Sequence, residues 1–193
     1  MLIVFSGLPG TGKTTIAREL ARQIGAVYLR IDVIEQAIRE AGVLASDVGT
    51  SGYGVANALA LSNLSVGHTV VADCVNPVEE SREAWKTVAA TADVALLDIL
   101  VTCSDRQEHQ RRVETRTGDI AGLVPATWPS VLAHEYEAWE TVPLTVDTAF
   151  MTPDQATAMI LTNLTSTAKE VFVVSGVRQS TLPIAFINTR SRA

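Results

Sequence analysis

The sequence predicts an α/β protein built on a parallel β-sheet. Short apolar runs of strand length alternate along the chain with longer segments of helical periodicity. The first helix shows this periodicity, because Ile16, Leu20 and Ile24 recur every four residues and Gly25 follows as a residue suited to end a helix. A glycine-rich loop joins the first apolar run to this helix. Such alternation is typical of a parallel sheet covered by helices.

The predicted elements follow one another in a regular order. Strands are expected at residues 2–5, 27–30, 69–73, 94–102 and 144–147, and the fourth is expected to be the most buried because it is the longest apolar run. The first helix is expected between the glycine-rich loop and Gly25, and another is expected to begin after Asn76-Pro77. Further helices are expected at residues 33–40, 55–66, 105–116, 129–139 and 153–164. Residues 46–54 are rich in Ser, Gly, Asp and Thr, which favours a mobile loop.

The glycine-rich loop is a complete phosphate-binding motif. It reads Gly7-Leu8-Pro9-Gly10-Thr11-Gly12-Lys13-Thr14 and lies between a strand and an amphipathic helix. Its three glycines let the backbone fold around an anion, and the helix N-terminus contributes the positive end of its dipole. We expect Lys13 to hold the β and γ phosphates and the Thr14 hydroxyl to hold Mg²⁺, with the whole motif and Thr15 binding the nucleotide.

Length, charge and composition narrow the class of protein. A chain of 193 residues suits one domain with a short appendage. The formal net charge of −6 and the pI near 5.0 argue against a broad surface for nucleic acid. No apolar run has the ~20 residues of a membrane span, and the N-terminal run is too short for a signal peptide. We therefore expect a cytoplasmic protein without membrane contact. Cys74 and Cys103 each lie at the end of an apolar run, so we expect them to be buried reduced thiols.

Four features, taken in order, resemble the P-loop kinase group. They are the phosphate-binding loop, the Arg30-Ile31-Asp32 step, the strand that ends at Asp73, and the helix with Arg111, Arg112 and Arg116. Within that group the chain is most similar to the small bacterial AAA-type predicted kinases, which resemble the kinase domain of polynucleotide kinase, the zeta toxins, gluconate kinase and chloramphenicol phosphotransferase.

This resemblance implies a P-loop NTPase fold of three layers, α/β/α. Its sheet would have five parallel strands in the order 2-3-1-4-5, and a helical lid would lie at about residues 104–140. The kinase domain would cover residues 1–168. Residues 169–193 would be a C-terminal appendage, for which a hairpin, a partner-binding arm and a disordered tail all remain open, because the segment contains two apolar stretches and only one acidic residue, Glu170.

The resemblance also implies roles on the acceptor side. Asp32 follows the second strand, at the edge of the sheet where ligands bind in open α/β folds. In the related kinases an Asp here orients or deprotonates the acceptor hydroxyl, so Asp32 is the predicted general base. The alternative is that Asp32 only caps the next helix. Several relatives carry an Arg three residues later, where this chain has Glu35 and then Arg39, a candidate substrate-binding residue. This departure argues against an anionic or phosphorylated acceptor.

Two further residues are predicted to bind the acceptor or the metal. Asp73 ends an apolar strand, as the acidic group of a Walker B element does, so it would hold Mg²⁺ through a water or help bind the acceptor. The alternative is a turn-forming Asp. Arg82, on the following helix, resembles an arginine that faces the substrate in such kinases. The alternative is a solvated surface residue.

Arg112 and Arg116 are four residues apart and share one helical face, near His109. In the family this helix belongs to a lid that closes over ATP and brings guanidinium groups to the γ-phosphate, so both arginines are predicted to be catalytic and Arg112 also to bind ATP. The alternative is a solvated helix in which Glu108 pairs with Arg112. The aromatic residues that follow would either wall the acceptor pocket or pack the lid: Trp128, Tyr136 and Trp139.

These features predict an ATP-dependent kinase that transfers the γ-phosphate to a hydroxyl of a small molecule, with ATP and Mg²⁺ as cofactors. The sequence has no Asn-Lys-x-Asp signature for guanine, which favours ATP. A polynucleotide 5′-hydroxyl kinase is disfavoured by the acidic composition, and a nucleotide-dependent regulatory ATPase or binding module is the alternative from another class. The acceptor, the oligomeric state and the choice between Asp32 and Asp73 as the acceptor-side carboxylate stay open.

Overall fold

The computed structural model describes residues 1–42, 44, 47–141 and 143–174, and these contain one five-stranded β-sheet. The strands are β1 (Leu2–Ser6), β2 (Val27–Arg30), β3 (Val70–Asp73), β4 (Leu96–Thr102) and β5 (Leu144–Asp147). Their order is β2-β3-β1-β4-β5, and every neighbouring pair is parallel. The predicted fold class and strand order are therefore confirmed.

Seven helices are present in the described part of the chain. They are α1 (Lys13–Ile24), α2 (Ile31–Ala41), α3 (Ser51–Ser65), α4 (Glu79–Thr91), α5 (Arg106–Thr115), α6 (Trp128–Leu132) and α7 (Pro153–Val174). Helices α3 and α4 pack on one face of the sheet, where Ala60 and Trp85 share a buried cluster with Leu2 of β1. The alternate residue Ile3 is equally buried and points to the other face, and α1 contacts both β1 and β3.

Strand β1 is fully buried along its five residues, because it lies at the centre of the sheet. The expectation that the fourth strand is the most buried is wrong. In β4 Ile99 and Val101 are buried, whereas the other five residues are partly exposed. Cover is incomplete at the carboxyl end of the strand, since Leu100 and Thr102 border a cavity of about 430 Å³.

Helix α2 begins earlier than predicted. Its N-cap is Arg30, and Asp32 lies in the first turn, without a side-chain capping bond there. The alternative interpretation of Asp32 as a helix cap is therefore wrong. An acidic residue in a first turn still interacts favourably with the helix dipole.

The predicted helix at residues 129–139 is much shorter in the structure. Thr127 and Ser130 form a reciprocal capping box that starts α6, but the helix ends at Leu132. The segment after it is irregular because its backbone bonds to other elements: Glu137 N donates to the carbonyl oxygen of Pro77 at 2.9 Å. The predicted lid region therefore contains α5, the short helix α6 and an irregular segment after it.

The remaining boundaries differ by a few residues. Helix α3 begins at Ser51, inside the segment 46–54 that was predicted to be a loop. Residues 43, 45, 46 and 142 lie outside the described residues. The chain divides into the units Met1–Met159 and Ile160–Ala193, and the described part of the second unit is the rest of α7, to Val174. The appendage predicted for residues 169–193 lies outside the described residues from 175 onward.

Both cysteines, Cys74 and Cys103, are buried and free, as the sequence predicts. Within the described ranges no helix combines the length and the apolar composition needed to cross a membrane.

Candidate functional site

The phosphate-binding loop, residues 7–12, connects β1 to α1 at the carboxyl edge of the sheet. Gly7 and Gly10 have positive φ angles of 141° and 86°. A Cβ atom at Gly7 would collide with the carbonyl oxygen of Val101, and one at Gly10 would collide with the Val113 side chain of α5. Glycine therefore lets the backbone pass closely between β4 and α5. The resulting concave backbone at a helix N-terminus is suited to a phosphate chain.

Lys13 begins α1, where backbone N–H groups lack partners within the helix. The residue is only 8% exposed and borders a cavity, yet none of the ion pairs between described residues involves it. An ammonium group in such a position is costly without an anion. Thr14 and Thr15 line the same cavity. The geometry at the start of α1 thus fits the expected nucleotide phosphates.

The cavity beside Lys13 has a volume of about 850 Å³. Six basic and four acidic side chains line it, so it has an excess of two positive charges in a chain whose net charge is −6. These side chains are Lys13, Arg18, Arg22, Arg30, Arg112 and Arg116, with Glu19, Asp32, Asp119 and Asp154. A locally positive cleft in an acidic protein favours a small anionic ligand over a long polyanion.

Helix α5 packs directly on the phosphate-binding loop. His109 Nε2 lies 2.8 Å from the carbonyl oxygen of Pro9, and the His109 ring meets the Trp128 ring edge-on with 5.2 Å between their centroids. Trp128 also packs with Val113 in a small buried cluster. Trp128 therefore packs against α5, the predicted lid helix, which agrees with one of the two roles predicted for it.

The two predicted lid arginines differ in their contacts. Arg112 Nη1 donates to Thr148 Oγ1 at 2.8 Å, and Arg112 Nε donates to Glu108 Oε1 at 2.8 Å. Thr148 in turn donates to the carbonyl oxygen of Thr11 at 2.8 Å. The Glu108 pair predicted as the alternative is thus present, yet Arg112 still borders the cavity. Arg116 lies just beyond α5 and borders the cavity as well.

Asp32 borders the cavity on the side of β2. Its nearest charged partner is Arg30, whose Nη2 lies 3.4 Å from Asp32 Oδ2. The same guanidinium donates through Nη1 to Asp119 Oδ2 at 2.7 Å, and Arg18 Nη2 donates to that oxygen at 2.8 Å. These hydrogen bonds, from Arg30 above all, lower the pKa of Asp119 to about 2. Asp32 is therefore close to a pair of arginines that share one carboxylate oxygen.

Asp73 lies one strand further into the sheet, opposite Arg30 in the β2–β3 register. It is 2% exposed and accepts a hydrogen bond from the Tyr28 hydroxyl at 2.7 Å. Burial, together with the Asp73 charge, raises the pKa of Tyr28. Asp73 does not line the cavity that holds Lys13 and Asp32. Its predicted role toward Mg²⁺ or the acceptor stays a prediction.

The predicted substrate-binding role of Arg82 needs a correction. The side chain is 1% exposed, and its guanidinium donates to the carbonyl oxygens of Asn76, Pro77, Glu137 and Ala138 at 2.7 to 3.3 Å. It also lies 4.3 Å from the centroid of a Trp139 ring and 5.4 Å from that of Tyr136. Arg82 therefore joins the loop after β3 to the irregular segment after α6, and it does not face the cavity.

Arg39 also lies away from the cavity. Its Nη2 is 3.4 Å from Glu35 Oε2 on the same helix. Burial raises the pKa of Glu35, the residue that stands where several relatives have an arginine. The substrate-binding role of Arg39 stays a prediction.

Sequence reasoning did not select several residues that line or shape the cavity. Arg30 belongs to the Arg30-Ile31-Asp32 step, which predicts a role for Asp32 alone, although a residue at the carboxyl end of a strand is itself well placed to contact a ligand. Asp119 and Arg18 are 101 positions apart in the sequence, so no local pattern connects them. Thr148 follows the last strand and likewise has no local signal for its contact with Arg112.

Comparisons with solved structures support the fold. A gluconokinase from Sinorhizobium meliloti is 18% identical, with a TM-score of 0.62 over 90% of this chain and 96% of that one. The APS kinase of Mycobacterium tuberculosis, solved with AMPPNP and APS, is 19% identical, with a TM-score of 0.62 over 84% of this chain and 96% of that one. At such identities the likeness shows the P-loop kinase-like fold alone.

Sequence comparisons identify the family. An uncharacterized protein of Mycobacterium tuberculosis is 30% identical over 153 residues, which are 72% of this chain and 30% of that protein. The chain thus spans less than a third of the length of the curated relatives it matches first. The model of a family described as an AAA domain matches residues 2–127. The chain belongs to this AAA-domain family, within the P-loop kinase-like group that its sequence motifs resemble.

Proposed function

We propose that the protein is an ATP-dependent kinase that transfers the γ-phosphate to a hydroxyl group of a small molecule. The observation that carries the proposal is Lys13, a nearly buried ammonium group at the N-terminus of α1, with no ion-pair partner among the described residues and a cavity of about 850 Å³ beside it. A triphosphate would supply the missing negative charge. The fold likeness to a gluconokinase and an APS kinase supports the same class of reaction.

The residues around the cavity have distinct proposed roles. The loop backbone and Lys13 hold the β and γ phosphates, and Arg112 and Arg116 stabilise the charge on the transferred group from the opposite side. Asp32 orients the acceptor hydroxyl and accepts its proton. Thr14 is the proposed protein ligand of Mg²⁺, and the metal would neutralise charge on the phosphate oxygens.

The first experiment is a measurement of Mg²⁺-dependent ADP release from ATP while candidate acceptors are added. Sugars, sugar acids, nucleosides, amino alcohols and a 5′-hydroxyl oligonucleotide form the panel. We expect one class of small acceptor to stimulate ADP release and to yield a phosphorylated product. The variant Lys13→Ala should lose ATP binding, because the phosphates lose their main cation.

A second variant separates catalysis from binding. Asp32→Asn should retain ATP binding but lower the rate of transfer by about 10²- to 10⁴-fold, as expected when a general base is removed. Arg111→Gln is the matched control, since Arg111 is exposed, pairs with Glu108 and does not border the cavity. Transfer by Asp32→Asn at the original rate would contradict the role of Asp32, and ATP binding without transfer to any acceptor would contradict the kinase proposal.

A further inference from the structure

Arg18 and Arg30 converge on one point of the cavity wall. Both guanidinium groups donate to the same oxygen, Asp119 Oδ2, at 2.8 and 2.7 Å. Two arginines directed at one oxygen anion form the arrangement that proteins use to bind a carboxylate or a phosphate. The pair therefore has the geometry of an anion-binding subsite, which a side chain of the protein occupies.

The two arginines are supplied by regular elements of the fold. Arg18 lies in α1, and Arg30 is the last residue of β2, in register with Asp73 of β3. The Arg30 side chain is 11% exposed, and its Nε has no hydrogen-bond partner, although Asp73 lies 3.9 Å away. A guanidinium group this deeply buried is costly without anions nearby, and Asp32, Asp73 and Asp119 all lie within 4 Å of it. The position of the Arg30 guanidinium group is thus set by the core of the protein.

Asp119, in contrast, comes from the irregular segment between α5 and α6. Its side chain is 48% exposed, so its ion pairs reach into solvent. Asp119 is thus open to solvent on one side, and an anion from solution can approach the same two guanidinium groups. A ligand with its own acidic group can therefore take the place of Asp119 without leaving Arg30 unpaired.

The subsite lies next to the proposed general base. Arg30 Nη2 is 3.4 Å from Asp32 Oδ2, and both residues border the nucleotide cavity. An acidic group held by the two arginines would place a nearby hydroxyl of the same molecule beside Asp32. Because Glu35 replaces the arginine that several relatives have on α2, the sequence argues against an anionic acceptor, but the structure supplies two arginines from other elements.

We propose that Arg18 and Arg30 form the acceptor-binding subsite for the acidic group of a small hydroxy acid, and that Asp119 fills this subsite until the acceptor replaces it. The inference rests on the proposed function, since it names the class of acceptor. It assigns specificity to residues of α1 and β2, outside the phosphate-binding loop and the lid helix.

The test is direct binding, which does not depend on turnover. The protein is saturated with Mg²⁺ and AMPPNP and titrated with gluconate, glucose 6-phosphate or glucose, three probes that share a six-carbon chain and differ in charge. The arginine Nε–Hε signals are followed by NMR. We expect the signals of Arg18 and Arg30 to shift with at least one acid and not with glucose. The response to gluconate or to glucose 6-phosphate tells whether the subsite favours a carboxylate or a phosphate.

Variants complete the test. Arg30→Gln should weaken binding of the acid at least tenfold, and so should Arg18→Gln, which changes an exposed residue. Asp119→Ala should tighten binding several-fold because the competing carboxylate is gone. Arg111→Gln should leave the affinity unchanged. Equal binding of glucose, absence of binding by both acids, or unchanged affinity in both Arg18→Gln and Arg30→Gln would overturn the inference.

The outcome also separates the subsite from the kinase reaction. In one outcome, the arginine signals shift as expected, both in the original protein and in the Lys13→Ala variant, but no phosphate is transferred to any acceptor. The subsite is then supported and the proposed kinase function is wrong. If transfer occurs to a neutral acceptor and Arg18→Gln and Arg30→Gln leave its KM unchanged, the kinase function is supported and the subsite is wrong.

Discussion

At the scale of single residues, the structure distinguishes arginines that face the cavity from one that holds the fold together. Arg82 donates to four backbone carbonyl groups and is almost fully buried. Without Arg82 all four carbonyl oxygens would lose a strong donor, and among the described residues only that of Pro77 would keep another, the backbone N–H of Glu137. The residue type alone does not reveal this role, because an arginine on a helix near a phosphate site has the same sequence appearance in both cases.

We predict that Arg82→Leu lowers the free energy of unfolding by about 3 kcal/mol, because several buried carbonyl groups lose their partner. Urea denaturation at neutral pH measures this loss. The matched control is Arg111→Leu, an exposed arginine, which should change stability by about 0.5 kcal/mol or less. Equal stability of the two variants would contradict the structural role of Arg82.

At the scale of elements, helix α5 contacts the phosphate-binding loop through two side chains from the middle of the helix. His109 meets the carbonyl oxygen of Pro9, and Arg112 meets Thr148, which bonds to the carbonyl oxygen of Thr11. The predicted lid helix is therefore in contact with the loop in this structure. The contacts orient Arg112 toward the cavity.

We predict that Thr148→Val weakens binding of Mg²⁺-AMPPNP about tenfold. The hydroxyl orients Arg112, and loss of one hydrogen bond to a charged group costs about 1.5 kcal/mol, close to a factor of ten in affinity. Calorimetric titration provides the measurement. Thr145→Val is the control, because Thr145 lies exposed on β5, the strand that precedes Thr148, and this variant should bind the nucleotide normally. Normal binding by Thr148→Val would show that Arg112 does not need this contact.

At the scale of the whole molecule, stability should depend on pH through one carboxyl group in the sheet. Asp98 lies on β4 opposite Val4 of β1, and burial raises its pKa to about 6 from 3.8. Because the folded pKa is higher, the folded state takes up a proton between these two values. The stabilisation by the protonated carboxyl is complete below about pH 4 and is lost as the pH rises through 6.

We therefore predict that Asp98→Asn raises the free energy of unfolding by about 1 to 2 kcal/mol at pH 7.5 and changes it little at pH 3.5. Chemical denaturation at both pH values tests this. Asp93→Asn is a suitable control, since Asp93 is exposed and has a φ of 52°, which asparagine tolerates. A gain that is the same at both pH values would contradict a titration of Asp98.

The local pattern was sufficient for much of the fold. Strand β2, strand β5 and the end of α1 at Gly25 lie where their sequences predict, because apolar runs and capping residues act within a few positions. The prediction of a helix over residues 129–139 was wrong, because the second half of this segment forms hydrogen bonds with residues near position 77 and does not continue α6. The prediction that β4 is the most buried strand was also wrong, since five of its residues are partly exposed and a cavity borders its carboxyl end.

The sequence by itself determined the family, the parallel sheet and the phosphate-binding loop, because a strand, three glycines, Lys13 and a helix are contiguous and depend on local geometry. The tertiary structure decided which distant side chains share the cavity. Arg18, Arg30 and Asp119 meet only because the fold brings α1, the end of β2 and the segment after α5 together beside one cavity. Long-range contacts of this kind arise from packing, and no local pattern specifies them.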